Sequence, residues 1–435
     1  MFQAHRRAFL DSMQEGDIAL FAGACHVTRN HDVDFPFRQD SDYYYLTGHR
    51  ESDGLLMLAK GLDGIPEETI FVLPRDPKME TWFGVRLGSE GAPEALGIAC
   101  ARVNTELAAA IADAMQKCTR IWYRLGGRAD VDAMVMKGFA HLRTQVRKGF
   151  APPTAVLEPT HVLHEMRLFK SPAEMDVMRR AAALSAKGHN LAMAMMQPGM
   201  MEYEVEAFYN YTFRRAGAES MGWSYGTIVA GGDHANILHY VENDKPLNDG
   251  ELVLVDAGAE FGLYAGDITR TYPVNGKFTD AQKEVYAAVL AAEKASIAAS
   301  VVGATLLDVH NASVQVLCSA LITLGVTEDS VEKQVASESY KEWFLHNTSH
   351  WIGLDVHDAG KYRDGDHWRP LEPGMCFTIE PGLYFRADDE RVPERLRGIG
   401  VRIEDDIHVT VDGPENLTID AVKEIVDIEA TCAGN

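Results

Sequence analysis

The chain has few cysteines, and none of them is spaced for a metal knuckle. Six cysteines occur in 435 residues, and no two of them form a CxxC pair. Disulfide frameworks and structural zinc sites depend on closely spaced cysteines, so neither is expected to organise this fold. We expect reduced thiols, as in a cytoplasmic protein.

Long apolar runs and basic clusters are also scarce. The N-terminal MFQAHRRAFLDSM has no apolar run of signal-peptide length. No later run reaches the roughly 18 apolar residues that span a bilayer. The 41 lysines and arginines are outnumbered by 64 acidic residues, and the resulting net charge of −23 repels phosphate backbones and anionic lipids. We expect a cytoplasmic protein with neither nucleic acid nor a membrane as partner.

What the chain does have is length and apolar residues. With 435 residues, of which 46% are apolar, it can bury two substantial cores, so two domains are expected. The proline-rich stretch APPTAVLEP at 151–159 is the best boundary signal. We therefore place one domain at 1–165 and the other at 166–435.

The N-terminal part alternates short apolar runs with helical stretches. Buried strands are predicted at 17–22, 43–47, 54–58, 69–73 and 120–125. Helices are predicted to include 94–96 and 106–118. This alternation predicts an α/β domain.

The C-terminal part shows the same order of elements twice. A capping box at 171–174 predicts a helix from about residue 172, and a second helix is predicted over 202–215. A second capping box at 279–282 opens the repeat, with helices over 282–300 and 306–324 and strands from about 374 to 410. Two halves of helix, helix and antiparallel strands predict an α+β domain with an internal duplication at a spacing of roughly 105 residues.

Four carboxylates and one imidazole stand out in this second part. Each lies at the end of a strand-like or glycine-punctuated segment: Asp256, Asp267, His350, Glu380 and Glu404. Oxygen-rich sets of this kind suit Mn²⁺, Co²⁺ or Zn²⁺, and bridging carboxylates can hold two ions side by side. The pattern predicts a dinuclear metallohydrolase.

The two aspartates are expected to face each other. LVLVD at 252–256 predicts a strand, and after two glycines DITRTY at 267–272 predicts its antiparallel partner. Two buried carboxylates this close need a cation to offset desolvation and repulsion. Taken alone, the segment would more often hold two ordinary turn aspartates.

The two glutamates make that alternative less attractive. In GVRIEDDIHV at 400–409, alternation along a strand places Arg402 and Glu404 on the same face. MCFTIE at 375–380 delivers Glu380 at the end of a further strand, directly before a Pro-Gly turn. Both glutamates therefore end apolar strands in the domain that holds the aspartate pair.

Histidines supply the remaining candidates. HNTSHWIGLDVHD at 346–358 contains His346, His350 and His357, and neutral imidazole is the commonest nitrogen ligand for divalent ions. We expect one of the three to bind metal and the others to take part in the chemistry. His239, in ILHYVEND at 237–244, is a fourth candidate.

Together these motifs resemble those of the Xaa-Pro aminopeptidases (aminopeptidase P), pita-bread metallopeptidases whose relatives include prolidase, methionine aminopeptidase and creatinase. The resemblance covers nearly the whole chain. FRQDSDYYYLTG at 37–48 is similar to the family's first domain. The other motifs stand in the family's order: 237–244, VDAG at 255–258, GDITR at 266–270, 350–358, IEPGLY at 379–384 and GVRIED at 400–405.

The resemblance implies an α/β N-terminal domain, a pita-bread catalytic domain and two divalent metal ions. Mn²⁺ is the expected metal, with Co²⁺ or Zn²⁺ as alternatives. Asp256 would bind one ion in a bidentate fashion, Asp267 and Glu404 would bridge both, and His350 and Glu380 would complete the second.

The resemblance also implies an activity, release of the N-terminal residue from peptides with proline in the second position. A metal-bridging hydroxide would attack the Xaa-Pro carbonyl, and Glu380 would move the proton toward the proline nitrogen. His239 and His357 would stabilise the tetrahedral intermediate. Arg402 would orient Glu404 or the substrate.

Substrate-binding roles follow from the same resemblance. His346, Tyr384 and Arg402 would line the proline pocket, and Tyr225 would lie near the metals as a hydrogen-bond donor. Relatives assemble into homodimers or homotetramers in which a neighbouring subunit's tryptophan borders the pocket. Trp82 is the matching residue here, and packing inside its own domain is the alternative for it.

Two other functions compete with this one. Prolidase, a dipeptidase with the same metal ligands, is the nearer alternative, and the motif at 37–48 favours the aminopeptidase. A metal-free, non-catalytic peptidase-like binding protein is the remote alternative. Such relatives lose the acidic ligands, whereas all five metal ligands are present here.

Overall fold

The computed structural model describes residues 1–434 and separates the chain into two compact units, Met1–Arg167 and Leu168–Asn435. The first unit is built on a six-stranded mixed sheet with the strand order β6-β5-β4-β1-β7-β8. The strands of this unit are β1 (Asp17–Ala22), β2 (Thr28–Asn30), β3 (Val33–Asp34), β4 (Leu55–Ala59), β5 (Glu68–Val72), β6 (Cys100–Val103), β7 (Arg120–Tyr123) and β8 (Ala155–Leu157). Its helices are α1 (Phe2–Ser12), α2 (Ser41–Thr47), α3 (Pro77–Phe83), α4 (Gly88–Leu96), α5 (Leu107–Lys117), α6 (Ala129–Thr144) and α7 (Thr160–Leu168).

The predicted α/β architecture of this unit is confirmed, and one predicted strand is wrong. Residues 43–47 form helix α2, although tyrosines usually favour strands. Asp40 caps this helix by accepting a hydrogen bond from the Tyr43 N–H at 2.8 Å. Gly48 ends it with φ of +69°, a left-handed conformation that glycine adopts readily. Local capping therefore outweighs the β propensity of the aromatic run.

The second unit repeats an arrangement of two helices followed by antiparallel strands. Its helices are α8 (Pro172–Met195), α9 (Glu202–Arg215), α10 (Asp280–Ala299), α11 (Leu306–Thr323), α12 (Val331–Ser337) and α13 (Ile425–Cys432). Its strands are β9 (Ile228–Gly231), β10 (Leu252–Asp256), β11 (Glu260–Phe261), β12 (Tyr264–Ala265), β13 (Thr269–Pro273), β14 (Arg363–Asp364), β15 (His367–Trp368), β16 (Cys376–Ile379), β17 (Gly382–Phe385), β18 (Ile399–Arg402), β19 (Asp405–Thr410) and β20 (Gly413–Asn416). The predicted α+β class is confirmed.

Both predicted capping boxes start helices. The Ser171 hydroxyl accepts from the Glu174 N–H, and the Glu174 carboxylate accepts from the Ser171 N–H at 2.8 Å, at the start of α8. Thr279 and Gln282 form the same reciprocal pair at the start of α10. These bonds satisfy N–H groups that a helix start leaves without partners.

Helix α11 is long and apolar enough to cross a bilayer by length and composition alone. In the fold it packs against α10 and buries an apolar face. Val314, Leu317 and Leu321 join the same core as β10 and β18. The helix pair thus forms the support behind the strands that carry the candidate site.

A three-stranded antiparallel sheet, β13-β10-β9, brings the two aspartates together. Asp256 ends β10 and pairs with Thr269, so Asp267 lies just beyond the partner strand. The connection is tight, because a Cβ built on Gly258 would lie 1.7 Å from the Gly266 carbonyl oxygen. Only glycine at 258 allows this close approach of the two backbones.

In the first unit, a buried carboxylate joins two parallel strands. Asp17, at the start of β1, accepts hydrogen bonds from Arg120 Nε and Nη2 at 2.7 and 2.6 Å and from Trp122 Nε1 at 2.8 Å. Although burial favours the neutral acid, these bonds hold the pKa of Asp17 below its usual value. The ionised carboxylate therefore stabilises the β1–β7 pair.

We predict that Asp17→Asn lowers the free energy of unfolding by about 2 kcal/mol at neutral pH, the scale of hydrogen bonds to a charged group. Because the pKa of Asp17 is lower in the folded state, its contribution is complete above the unfolded pKa of about 3.9 and is lost as the pH falls through the folded pKa. Urea unfolding of both proteins at several pH values measures this.

The matched control is Asp113→Asn, which removes an exposed helical ion pair with Lys117. It should change stability by no more than about 0.5 kcal/mol. A difference between Asp17→Asn and the wild type that is constant down to pH 2 would contradict the assigned ionisation of Asp17.

Candidate metal centre

One cavity of about 450 Å³ in the second unit collects most of the candidate residues. Its walls include ten residues singled out from the sequence: Tyr225, His239, Asp256, Asp267, His346, His350, His357, Glu380, Arg402 and Glu404. Tyr384 lies behind this wall, hydrogen bonded to His346 and Arg402. Segments separated by up to 179 positions in the sequence thus meet at one place.

Strand ends position the four carboxylates. Asp256 is the last residue of β10, and Asp267 precedes β13 by two residues. Glu380 directly follows β16. Glu404 lies in a two-residue break between β18 and β19, where its backbone N–H donates to the Thr269 carbonyl at 3.0 Å. The backbone of a residue at a strand end is fixed by the sheet, while its side chain can project into the cavity.

Three of the five predicted ligands have the spacing of a metal site. Each of Asp267, His350 and Glu404 offers one ligand atom, and these three atoms lie within 4.8 Å of one another. His350 Nε2 lies 3.5 Å from Asp267 Oδ2 and 3.7 Å from Glu380 Oε1. Two ligands on one ion with bonds of about 2.0–2.2 Å are separated by distances of this order.

The hydrogen bonding of His350 prepares it as a ligand. Its Nδ1 lies 3.1 Å from the Trp351 carbonyl oxygen, which can only accept a hydrogen bond. Nδ1 therefore carries the proton in the neutral ring and leaves the lone pair of Nε2 directed at the carboxylates. Metal-binding histidines are commonly oriented in this way.

The charges of the cavity also fit a cation. Burial, together with repulsion from Asp267 and Glu380, raises the pKa of Glu404 well above its usual value. Burial raises the pKa of Glu380 to about 7, against the opposing effect of His350. Burial opposes protonation of His350, yet the nearby Asp267 and Glu380 raise its pKa to about 9. If all four carboxylates were ionised, they would carry more negative charge than the surrounding side chains neutralise, and divalent ions would neutralise it.

Tyr225 and Arg402 hold Asp256 from two sides. The Tyr225 hydroxyl lies 2.5 Å from Asp256 Oδ1 and 2.6 Å from Asp267 Oδ1. Arg402 Nη2 donates to Asp256 Oδ2 at 2.7 Å. The resemblance implied that Tyr225 lies near the metals as a hydrogen-bond donor, and the structure places its hydroxyl within hydrogen-bond distance of both aspartates.

Arg402 reaches Glu404 only indirectly. Its Nε donates to the Thr269 hydroxyl at 3.0 Å, and that hydroxyl donates to Glu404 Oε2 at 2.7 Å. The guanidinium thus bonds Asp256 directly, whereas sequence reasoning had directed it to Glu404 or the substrate. Thr269 was not identified beforehand. Its place two residues after Asp267, on the same strand face, was the available signal.

Arg270, on the opposite face of β13, anchors the site from behind. It is fully buried and donates to the Glu404 carbonyl at 2.6 Å and to Asp405 Oδ1 at 2.6 Å. Asp405 Oδ2 also accepts from Lys423 Nζ at 2.5 Å. Sequence reasoning missed Arg270, because a charged residue in a strand indicates a buried network only when its partners are known.

Histidines and a tyrosine form the remaining wall. His346 Nε2 lies 2.7 Å from the Tyr384 hydroxyl, which also accepts from Arg402 Nη1 at 3.1 Å. His357 packs edge-on against His350, with ring centroids 4.3 Å apart at 83°. His239 and His357 are both solvent-exposed at the cavity.

Trp82 belongs to the other unit. It lies on helix α3 with 76% of its surface exposed, next to the equally exposed Phe83 and Val85. Packing inside its own domain, the alternative considered for it, is therefore wrong. The prediction that it borders the pocket of a neighbouring subunit stays a prediction.

Comparison with known protein families agrees with the geometry. Residues 176–411 match the model of metallopeptidase family M24, and residues 2–122 match that of the aminopeptidase P N-terminal domain. The first match contains all five predicted metal ligands.

Individual relatives match over the full chain. The Xaa-Pro aminopeptidase of Escherichia coli K12 is 43% identical over 429 residues, which cover 99% of this chain and 96% of the relative. The Haemophilus influenzae Xaa-Pro aminopeptidase is 40% identical over 98% of this chain and 96% of its own length.

Solved structures show the same similarity. Pseudomonas aeruginosa aminopeptidase PepP superposes with a TM-score of 0.97 at 41% identity, covering 100% of this chain and 97% of its own. Zn-substituted E. coli aminopeptidase P in complex with product gives a TM-score of 0.96 at 43% identity, covering 100% and 98%. The pita-bread fold and the resemblance read from the motifs are confirmed, and the chain belongs to metallopeptidase family M24, with the aminopeptidase P type of N-terminal domain.

Proposed function

We propose that this protein is a metal-dependent Xaa-Pro aminopeptidase, which releases the N-terminal residue from peptides with proline in the second position. The observation that carries the proposal is the convergence of four carboxylates and four histidine side chains on one cavity. The full-length identity to Xaa-Pro aminopeptidases supports the same activity.

The cavity would hold two divalent ions through the five predicted ligands. We propose Mn²⁺, because a set of four carboxylates and one imidazole is hard and rich in oxygen, with Co²⁺ or Zn²⁺ as alternatives. Bound ions would lower the pKa of water and polarise the carbonyl of the scissile bond. Asp256, held by Tyr225 and Arg402, has the most restrained carboxylate of the set.

Glu380 would carry the proton that the reaction must move. Its Oε1 lies 3.7 Å from His350 Nε2 and its Oε2 lies 3.7 Å from His346 Nδ1. The carboxylate therefore stands between the predicted ligand histidine and the predicted proline pocket. From there it can take a proton from water and donate it to the proline nitrogen that leaves.

His239 and His357 can stabilise the oxyanion of the tetrahedral intermediate. Both line the cavity and are exposed to it, so a ring N–H of each is available to a substrate oxygen. Donors directed at the position where charge develops contribute most to such reactions.

The proline pocket is proposed at the wall formed by His346, Tyr384 and Arg402. Arg402 donates to the Tyr384 oxygen, and the Tyr384 hydroxyl proton is then free to bond His346 Nε2. These two hydrogen bonds fix all three side chains before substrate binds. A rigid wall suits a proline ring, whose shape is fixed and whose tertiary amide has no N–H to donate.

Assembly and domain organisation complete the proposal. Residues 1–165 would form the N-terminal domain and 166–435 the catalytic domain of a homodimer or homotetramer. The apolar surface of Trp82, Phe83 and Val85 on and after helix α3 supports a contact with another subunit, since adjacent exposed apolar side chains mark interaction sites.

We predict that Glu404→Gln lowers the metal content of the purified protein from about two ions per chain to one or fewer, because a bridging carboxylate serves both ions. Adding Mn²⁺ to chelated wild-type protein should raise its melting temperature, and the variant should lose most of this increase. Elemental analysis and thermal denaturation measure the two effects.

The matched control for this experiment is Glu390→Gln, at an exposed position away from the cavity. It should bind metal as the wild type does. An unchanged metal content in Glu404→Gln would remove Glu404 from the ligand set.

We predict that the Mn²⁺-loaded enzyme hydrolyses Xaa-Pro-Yaa tripeptides, and that Glu380→Ala lowers kcat by about 10²–10⁴-fold through loss of proton transfer. Peptide hydrolysis followed by chromatography measures both. Turnover of Xaa-Pro dipeptides alone would show a prolidase, and full activity of Glu380→Ala would remove its assigned role.

A further inference from the structure

The loop between β9 and β10 brings His239 to the wall of the cavity. His239 lies in a turn that follows the short helix Gly232–Asn236. Its imidazole makes no hydrogen bond with another residue in the described range 1–434. Since the ring is not held directly, its position depends on how firmly the surrounding loop backbone is fixed.

A single buried carboxylate fixes that loop. Glu202, the first residue of α9, is 0% exposed. Its Oε1 accepts from the Gly231 N–H at 3.0 Å and lies 3.1 Å from His234 Nδ1. Its Oε2 accepts from the Tyr240 hydroxyl at 2.8 Å and from the Lys245 N–H at 3.0 Å. Four donors distributed along the loop thus converge on one side chain.

Tyr240 transmits this constraint to its neighbour His239. The Tyr240 ring is 5% exposed and stacks on His234, with centroids 4.6 Å apart at 23°. Its hydroxyl bonds Glu202. Because the ring and the hydroxyl of Tyr240 are both fixed, the backbone of the preceding residue has little freedom. The backbone position from which the His239 imidazole extends is therefore defined.

Asn243 provides a second anchor on the far side of His239. It adopts a φ of +47°, which is unusual for a residue with a side chain. Its Oδ1 accepts from the Val229 N–H at 2.9 Å, and its Nδ2 donates to the Thr227 carbonyl at 2.8 Å. These bonds tie the loop to strand β9. The position of the backbone between Gly231 and Lys245 then depends on the hydrogen bonds to Glu202.

We propose that Glu202 is a positioning residue for the peptidase reaction, which acts on substrate only through His239 by holding the loop that carries it. This inference rests on the proposed function, in which His239 stabilises the oxyanion. Glu202 itself is buried away from the cavity wall and touches neither a predicted metal ligand nor the space for substrate.

Glu202→Gln is the variant that tests it. The amide keeps the shape of the side chain, but its nitrogen cannot accept hydrogen bonds, so two of the four donors lose their acceptor. With Xaa-Pro-Yaa substrate and Mn²⁺-loaded enzyme, we expect kcat/KM to fall roughly tenfold or more, as when a catalytic group is displaced by a fraction of an ångström. The loss should appear mainly in kcat, because His239 acts in the transition state.

A double-mutant cycle separates positioning from general support of the fold. In a His239→Ala background the same Glu202→Gln change should lower kcat/KM by less than about twofold, since the group that it positions is already gone. Equal losses in both backgrounds would overturn the proposal. Metal content and melting temperature are measured for each variant. Both should match between Glu202→Gln and the wild type, so that a loss of activity does not reflect a loss of metal or of the fold.

Two further variants complete the design. Glu242→Gln removes a carboxylate from an exposed position in the same loop and should leave kcat/KM unchanged. Tyr240→Phe keeps the stacked ring and removes only its hydroxyl bond to Glu202. It can therefore replace Glu202→Gln in the double-mutant cycle if that variant does not fold. If the wild type did not cleave Xaa-Pro-Yaa, the proposed function itself would be refuted. That outcome is distinct from equal losses in the two backgrounds, which would overturn only the positioning role of Glu202.

Discussion

Repulsion among buried carboxylates is the constraint on which the catalytic unit depends. Asp256, Asp267, Glu380 and Glu404 all face one cavity, and burial favours the neutral acids. Charged groups in such a place persist only with cations and hydrogen-bond donors close by. Arg402 is the cation that the protein itself brings to Asp256, and divalent ions would supply the rest. The cavity is therefore organised to bind metal even before chemistry is considered.

The layers behind the ligands serve the same constraint. Tyr225 and Thr269 donate to carboxylate oxygens, which leaves the remaining lone pairs in fixed directions. Arg270 then joins the backbone of Glu404 to Asp405, whose charge is balanced again by Lys423. Partners of this kind orient metal ligands and are needed as much as the ligands are. Glu202 extends the principle to His239, whose side chain makes no hydrogen bond with residues 1–434, because Glu202 fixes the loop that carries it.

Local sequence signals predicted much of the architecture. The reciprocal hydrogen bonds at 171–174 and 279–282 involve residues three positions apart, so their pattern is complete in the sequence. The strand at Leu252–Asp256 follows from an apolar run that ends in a charged residue. The mistaken strand at 43–47 shows the limit of propensity, since Asp40 and Gly48 define a helix that the tyrosines alone do not indicate.

The sequence by itself determined which donors are present, the order of the motifs and the family to which they belong, because short motifs carry the identity of each ligand. The tertiary structure decided which groups share a hydrogen bond. That Arg402 bonds Asp256 and reaches Glu404 only through Thr269, or that one carboxylate on α9 holds four points of a loop, depends on contacts between segments far apart in the chain. Such pairings arise when strands and helices pack, so no local pattern records them.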